Sequence, residues 1–399
     1  MIKSIRLQNF FGFQDCTINL EKGENVLVGI NGSGKSNFFK AIRLLKEGVA
    51  GKDGLVKLIM QDWGGFSVLK NYNTSQKENV KVEFTLDPNV VKAFGFKFKE
   101  PIIYSITIKG IGTGNNYSLD ESISIHRTDE NFIYLDFKNG SGHLLERFEE
   151  AGRFKLIKYS NFNEQELVLR TIFEPDRFYA QSTIKESIQE INIYSPFETS
   201  LNSSIRKSVI PTLEDKLAGD GGNLPVVLFN LKHKERNAFK KIEESLRQVN
   251  ENFDEIDFDQ RSIGRIELLL VEKGLNKSTS ILHVSDGTLR FLCLMAIFYN
   301  PKRGSVICID EPELGLHPDM INTLRLAIEH AAETSQIIIS THSPHLLDYF
   351  ELENIRVFEK DDNNSTEVSQ FTDEDFKGWY ETFNPGQMWR AGDIGGNRW

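Results

Sequence analysis

The strongest constraint on this chain is a glycine-rich segment, GINGSGKS at residues 29–36, which fits the phosphate-binding-loop pattern G-x-x-x-x-G-K-[ST]. A short aliphatic run at residues 26–28 precedes it and predicts a buried strand. Apolar residues at helical spacing follow over residues 37–45 and predict a helix. Strand, loop and helix in this order are the context that the pattern requires, whereas a chance Gly/Ser turn would lack it. An α/β nucleotide-binding fold is therefore expected.

The loop predicts a site for ATP and Mg²⁺. Its glycines let backbone N–H groups turn toward phosphate oxygens, and the following helix adds the partial positive charge of its N-terminus. Lys35 is expected to reach the β- and γ-phosphates, and the Ser36 hydroxyl to bind Mg²⁺. The predicted nucleotide-binding residues are Asn31, Gly32, Ser33, Gly34, Lys35, Ser36 and Asn37.

A second candidate segment lies far downstream, where the apolar run at residues 305–309 ends in Asp310 and Glu311. Asp310, at the end of a buried strand, is expected to hold Mg²⁺ directly or through water. Glu311 is expected to orient and deprotonate the attacking water. Without a phosphate-binding loop, the two carboxylates would be read as the start of a solvated loop. Together the two segments predict ATP hydrolysis.

Composition narrows the class of protein. With 399 residues, 39% of them hydrophobic and 26% charged, the chain is typical of a soluble protein large enough for two lobes. The sequence has no apolar run as long as a membrane span, and its three scattered cysteines favour reduced thiols in the cytoplasm. A net charge of −10 disfavours an unspecific grip on nucleic acid. The basic residues within 232–241 form either a local DNA-binding patch or a solvated helix face.

Periodicity divides the chain into three segments. Residues 1–158 combine the phosphate-binding loop with alternating patterns from about residue 80 to 140, which indicate an antiparallel sheet. Residues 159–254 are predicted to form an inserted, mainly helical lobe. Residues 255–399 alternate strand and helix, which is typical of a parallel sheet. Both ends of the chain are expected to build one nucleotide-binding head.

Two further segments could complete the site. Residues 285–290 (SDGTLR) precede an apolar helix, and a plain N-cap explains them as well as an anion-binding helix end does. His342 follows an apolar strand predicted at residues 335–340, and a single histidine at a strand end is usually structural. Beside the strand of Asp310, however, His342 would lie near the γ-phosphate.

The order of these segments resembles the ABC-type ATPase heads of the RecF, SMC and OLD group. EPELGLHP at residues 311–318 is similar to that group's stretch after the paired carboxylates, and STHSP at residues 340–344 to its switch-histidine segment. GDGGNL at residues 219–224 and the pair Gly395 and Gly396 are similar to compact bacterial "predicted ATPases", often labelled AAA-family ATPases. The resemblance covers nearly the whole chain.

This resemblance implies a P-loop NTPase head of ABC type, with a mixed or parallel sheet, flanking helices, an antiparallel β subdomain and an inserted helical lobe. Two heads would sandwich two ATP molecules, and each site would receive a signature from the opposite subunit. His342 would sense the γ-phosphate and act with Lys35 and Glu311 in catalysis, and Gln61 is a candidate for the group's magnesium-contacting glutamine. The signature residues are Ser285, Asp286, Gly287 and Thr288.

Three functions stay open from the sequence. The first is an ATP-gated dimeric switch, able to assemble further, that controls a separately encoded nuclease or toxin in bacterial phage defence. The second is a RecF-like ATPase that clamps DNA in repair or maintenance, which DNA-stimulated and salt-sensitive turnover would favour. The third, a small-molecule kinase, explains neither the signature nor the histidine segment. Residues 350–399 are too few for the Toprim nuclease domain of OLD proteins, and no heptad array predicts an SMC coiled coil.

Overall fold

The computed structural model describes residues 1–73, 79–89, 91–94, 96–112, 114–126, 131–148, 153–260, 264–376 and 383–396. The strands in these ranges are β1 Ile2–Phe10, β2 Phe13–Asn19, β3 Glu24–Val28, β4 Val80–Leu86, β5 Lys92–Ala93, β6 Phe96–Lys97, β7 Ile102–Gly110, β8 Tyr117–His126, β9 Asn131–Lys138, β10 Ser141–Phe148, β11 Arg153–Tyr159, β12 Ile191–Tyr194, β13 Phe253–Asp259, β14 Glu267–Glu272, β15 Thr279–Ser280, β16 Val306–Asp310, β17 Gln336–Ser340, β18 Ile355–Lys360 and β19 Thr366–Ser369.

The α-helices of the same ranges are α1 Lys35–Ala50, α2 Gly54–Val56, α3 Phe66–Leu69, α4 Val168–Thr171, α5 Tyr179–Gln189, α6 Leu224–Lys234, α7 Arg236–Val249, α8 Asp286–Phe298, α9 Asp319–Ala332, α10 Pro344–Leu347 and α11 Pro385–Ala391. A π-helical turn spans Lys57–Asp62, and 3-10 turns span Ser204–Arg206, Ile281–His283, Leu352–Asn354 and Asp373–Phe376. None of the helices in the described residues combines the length and the hydropathy that a membrane span requires.

A six-stranded sheet carries the predicted nucleotide-binding segments. Its order is β12-β16-β17-β3-β18-β19, and all neighbouring pairs are parallel except β18 and β19. The central strands β3, β16 and β17 are almost continuously buried, as is typical of parallel strands, which are covered on both faces. The carboxyl ends of β12, β16, β17 and β3 meet at one edge, where ligands bind in open parallel sheets.

An eight-stranded antiparallel sheet lies next to it, in the order β11-β10-β9-β8-β7-β4-β1-β2. Its β4 alternates buried and half-buried residues, which is the pattern of a sheet with one face in a core. A three-stranded sheet of β13, β14 and β15 and a two-stranded sheet of β5 and β6 complete the strand pairing of the described residues.

The six-stranded sheet separates two hydrophobic cores, and its central strands send alternate side chains to each. Cys308 and Ile338 belong to the core shared with α1, α5 and the antiparallel sheet. Ile307 and Ile337 belong to the core shared with α6, α7, α8 and α9. This period of two, buried on both sides, fixes where each strand ends and therefore where the polar residues at the strand ends lie.

The predicted fold class is confirmed, since the chain is an α/β protein with a largely parallel sheet and an antiparallel sheet. The division into residues 1–158, 159–254 and 255–399 stays a prediction. Within the middle segment, α5 packs in one core and α6 and α7 in the other. The sequence patterns also did not predict β12, which lies in this segment and pairs with β16 of the head sheet.

Candidate nucleotide-binding site

Three segments meet at the carboxyl edge of the six-stranded sheet. Register brings them together, because Asp310 of β16 pairs with Ser340 of β17, and Ser340 with Leu27 of β3. The loop after β3, the carboxylates at the end of β16 and the turn after β17 line one cavity of about 180 Å³. Its lining residues are Asn31, Gly32, Ser33, Gly34, Lys35, Ser36, Asn37, Asp310, Glu311 and His342.

The phosphate-binding loop has a backbone that only glycine adopts without strain. Gly32 and Gly34 have φ angles of 83° and 120°. A Cβ at Gly34 would lie 2.6 Å from the hydroxyl oxygen of Thr366, at the start of β19. The same hydroxyl donates to the Ser33 carbonyl at 2.9 Å. Thr366 therefore packs against the loop and leaves no room for a side chain at position 34. The sequence patterns did not indicate this residue.

Lys35 begins α1 and is buried beneath the loop. Its Nζ donates to the carbonyl of Gly29 at 2.7 Å and lies 3.3 Å from that of Ile30. Burial lowers the pKa of Lys35 to about 8, and the carboxylates of Asp310 and Glu311 oppose this effect. Phosphate oxygens would offer this ammonium stronger, charge-assisted hydrogen bonds than the two carbonyls do.

Ser340 of β17 sets the positions of both carboxylate residues. Its hydroxyl donates to Asp310 Oδ1 and accepts from the backbone N–H of Glu311 at 3.0 Å. Glu311 has a φ of 47°, a left-handed conformation that costs a residue with a side chain about 1–3 kcal/mol and is concentrated at functional sites. The Ser36 hydroxyl and the Asp310 carboxylate line the same cavity and are oxygen ligands of the kind that Mg²⁺ prefers.

His342 closes the cavity at the end of β17. Its Nε2 lies 3.5 Å from Glu311 Oε1. Burial, and then the positive charge of Lys35, lower the pKa of His342, while Glu311 and Asp310 oppose them. The lowered pKa favours the neutral imidazole, which donates a hydrogen bond from one ring nitrogen and accepts one at the other.

A third carboxylate, Glu313, ties the turn after β16 to the turn after β17. Its Oε1 accepts from Thr341 Oγ1 at 2.5 Å and from the backbone N–H of His342 at 3.1 Å. Its Oε2 is buried without a hydrogen-bond partner in the described residues, and burial raises the pKa of Glu313. Glu313 is thus a positioning residue that holds His342 near Glu311. Sequence reasoning placed it only in a motif, because its partners lie 28 and 29 residues away.

Replacing Glu313 with Ala is expected to release His342 and slow ATP turnover about tenfold. It leaves Thr341 Oγ1 and the His342 N–H without their acceptor, which is expected to cost about 1–3 kcal/mol of folding free energy. Glu313→Gln keeps an acceptor oxygen and is the matched control. Turnover and thermal unfolding of both variants check this, and an Ala variant with wild-type turnover would contradict the positioning role.

The signature segment forms a helix cap outside this cavity. Ser285 is the N-cap of α8, and its Oγ accepts from the Thr288 backbone N–H at 3.2 Å, which confirms the predicted cap. Ser285 and Asp286 are exposed, and Gly287 and Thr288 are half-buried. None of the four lines the cavity of the phosphate-binding loop. An exposed helix N-terminus has free N–H groups that can bind an anion, and its action on a second copy stays a prediction.

Gln61, the candidate for the magnesium-contacting glutamine, lies outside the cavity, whereas Ser195 lines a cleft that shares Asp310 and Glu311 with it. Gln61 lies in the π-helical turn Lys57–Asp62, is exposed and does not line the cavity, so its contact with Mg²⁺ stays a prediction. Ser195 directly follows β12, whose Tyr194 pairs with Ile309, and it lines a small cleft together with Asp310 and Glu311. Sequence reasoning missed Ser195 because the four-residue strand before it was not recognised.

The basic cluster within residues 232–241 is partly paired with acidic and carbonyl groups of the same chain. Lys232 donates to the Ile256 carbonyl at 3.0 Å, and Lys234 pairs with Asp215 at 3.2 Å. Pairs of this kind lower the charge that is available for a phosphate backbone. The arrangement favours the solvated helix face over the DNA-binding patch.

Comparison with known protein families assigns the chain to one of them. Residues 25–348 match the family described as "AAA domain, putative AbiEii toxin, Type IV TA system". The chain belongs to this AAA family. The matched range contains the phosphate-binding loop, the signature, both carboxylates and His342. The match confirms the predicted ATPase domain of the AAA-family type.

Individual relatives and structures agree with this assignment. The chain is 23% identical to "Retron Ec83 probable ATPase" of Escherichia coli, over 89% of this chain and 70% of that one. It is 24% identical to "Endonuclease GajA" of Bacillus cereus, over 89% of this chain but only 57% of GajA. A crystal structure of an Smc head bound to the C-winged helix domain of ScpA superposes with a TM-score of 0.57 at 13% identity, over 94% of this chain and 99% of that one. A Pyrococcus furiosus Smc head with an extended coiled coil gives 0.55 at 14%, over 95% and 98%.

Proposed function

We propose that this chain is a Mg²⁺-dependent ATPase that acts as a dimeric switch and controls a separate effector protein in bacterial phage defence. One observation carries the proposal. The phosphate-binding loop, Asp310, Glu311 and His342 share a cavity, while the helix end at Ser285 is exposed outside it. In an ATP sandwich, the cavity of one copy would receive the helix end of the other, and the separate positions of the two parts on the surface support this arrangement.

The residues of the cavity fit ATP hydrolysis. Loop N–H groups and Lys35 would bind the phosphates, and Ser36 with Asp310 would hold Mg²⁺, which neutralises phosphate charge when bound. Glu311 would accept the proton of the attacking water. His342, at 3.5 Å from Glu311, would orient that water and the γ-phosphate.

The effector and its setting are inferred from the names of the relatives. They include retron ATPases, an endonuclease and a family described by a toxin and a toxin–antitoxin system. Closing and opening of the dimer in the cytoplasm would switch a nuclease or toxin encoded by another gene. We propose that this chain has no nuclease activity of its own. Plasmid cleavage by the purified chain, with Mg²⁺ or Mn²⁺, would contradict that part.

Mixing two inactive variants tests the exchange of signatures between subunits. Lys35→Ala removes the phosphate lysine, and Ser285→Arg blocks the signature helix end. Each alone is expected to lose about 10²-fold in ATP turnover. A mixed dimer has one site that combines an intact Lys35 with an intact Ser285 of the partner copy. Mixing is therefore expected to restore turnover, to at most about half of the wild-type level, because one of the two sites of a mixed dimer is intact.

The same experiment separates this function from the alternatives. A mixture as inactive as its components, made of chains that remain folded, would contradict exchange. Adding duplex DNA at low and high salt addresses the RecF-like function, because DNA-stimulated turnover that salt abolishes would favour it.

A further inference from the structure

The signature of this chain contains an acidic residue, Asp286, at a position that is unfavourable for binding a phosphate. Asp286 is the first residue of α8, directly after the Ser285 cap, and its side chain is 61% exposed. A carboxylate there is attracted to the positive end of the helix. It would also repel a γ-phosphate brought to the same helix end. If this end is to bind the nucleotide of another copy, the charge of Asp286 must be offset.

A buried arginine from the middle of the chain contacts this carboxylate. Arg206 ends the 3-10 turn Ser204–Arg206, and its side chain is only 5% exposed. Its Nη2 donates to Asp286 Oδ1 at 2.6 Å. A guanidinium cation paired with a carboxylate anion carries no net charge.

The same guanidinium holds the backbone that leads into the signature. Nη1 lies within hydrogen-bond distance of the carbonyls of Ile281 and Leu282 at 3.0 Å and of Val284 at 2.8 Å. Nε donates to the carbonyl of Thr199 at 2.8 Å. The five donors of arginine fit such a set, whereas lysine has three donors from a single atom.

We propose that Arg206 is a positioning residue of the signature: it neutralises Asp286 and thereby lets the helix end at Ser285 receive a γ-phosphate from a second copy. This inference rests on the proposed ATP sandwich. It assigns to residues 199–206, which lie outside the recognised motifs, control over nucleotide-dependent dimerisation. When a second copy and its nucleotide cover Asp286, solvent would no longer screen the carboxylate, so the pairing gains importance on closure.

The test uses the full chain with Glu311→Gln, which is expected to bind ATP and to hydrolyse it much more slowly than the wild type. Two quantities are measured: ATP affinity of the single chain at low protein concentration, and the dimer dissociation constant with ATP and Mg²⁺ from sedimentation. Adding Arg206→Gln is expected to weaken dimerisation at least about tenfold, because a like charge then faces the phosphate. ATP affinity of the single chain is expected to stay unchanged, since Arg206 does not line the nucleotide cavity.

Rescue distinguishes charge neutralisation from a purely structural role. Adding Asp286→Asn to Arg206→Gln removes the unpaired carboxylate and is expected to recover most of the lost dimerisation. The lost carbonyl contacts are not replaced by that second change, so a structural role alone would give no recovery. Arg206→Lys keeps the positive charge but has fewer donors for the carbonyls, so it is expected to dimerise more tightly than Arg206→Gln and less tightly than its parent.

Arg6→Gln is the matched control, because it breaks an exposed arginine–aspartate pair with Asp15 in the antiparallel sheet. It should leave both quantities unchanged. Arg206→Gln with parental dimerisation, a double variant as weak as Arg206→Gln, or an Arg206→Lys chain that folds but dimerises no better than Arg206→Gln would overturn the role of Arg206. A Glu311→Gln parent that binds ATP but never dimerises would instead overturn the ATP sandwich itself, and the inference with it.

Discussion

Replacing Lys35 with Ala is expected to remove ATP binding at micromolar nucleotide. The buried ammonium would exchange two carbonyl contacts for charge-assisted bonds to phosphate. Loss of one member of such a pair costs about 3 kcal/mol, which is a factor of about 100 in affinity. Titration of the variant with a fluorescent ATP analogue measures this directly.

Lys46→Ala is the matched control for that experiment. Lys46 lies on the same helix α1, and its Nζ donates to the carbonyl of Gln189 at 2.6 Å. It does not line the phosphate cavity, so ATP affinity should stay at the wild-type value. A Lys35→Ala chain that binds ATP as tightly as the control would contradict the role given to Lys35.

The lowered pKa of Lys35 adds a pH dependence to ATP binding. In the nucleotide-free chain this pKa is about 8, and an anionic triphosphate would raise it. Because Lys35 holds its proton more tightly when the nucleotide is bound, the affinity for ATP has its full value below pH 8 and falls as the pH rises above 8. Isothermal titration at several pH values, in buffers of different ionisation enthalpy, should show proton uptake on binding near pH 8.

Replacing Glu311 with Gln is expected to slow hydrolysis about 10²–10⁴-fold while ATP still binds. Gln keeps the size of the side chain but cannot accept a proton from water. The amide can still lie near His342 Nε2, which is 3.5 Å from Glu311 Oε1, so the shape of the cavity should persist. Single-turnover measurement of phosphate release gives the rate of the chemical step.

Glu329→Gln serves as the control for this change. Glu329 lies on α9 and pairs with Arg325 four residues earlier on the same helix. Exposed pairs of this kind contribute little, and its turnover should equal that of the wild type. Wild-type phosphate release from Glu311→Gln would show that another group is the general base.

Sequence patterns predicted those parts of the site that depend on residues close together in the sequence. Residues 29–36 carry their own context of strand and helix, and β16 ends at Asp310 because the apolar run ends there. Parallel order then predicts that His342 lies near Asp310, and the shared cavity confirms this. The helix cap at Ser285 could likewise be predicted from the sequence, since its hydrogen-bond donor lies only three residues away.

Contacts between segments that are far apart in the sequence could not be predicted in this way. Thr366 holds Ser33 from 333 residues away, and Arg206 reaches Asp286 across 80 residues. Neither belongs to a pattern with a fixed spacing. Ser195 was missed for another reason, because a four-residue strand between helical patterns has too few residues to show a period of two.

The most direct test of the account is the mass of the Glu311→Gln chain in solution with ATP and Mg²⁺, measured by sedimentation. We expect a species of twice the 45.6 kDa of one chain with ATP and a single chain without it. The same chain with Ser285→Arg should bind ATP and stay single. A single chain with ATP bound, or a dimer that persists in spite of Ser285→Arg, would contradict a site completed by the signature of a neighbouring copy.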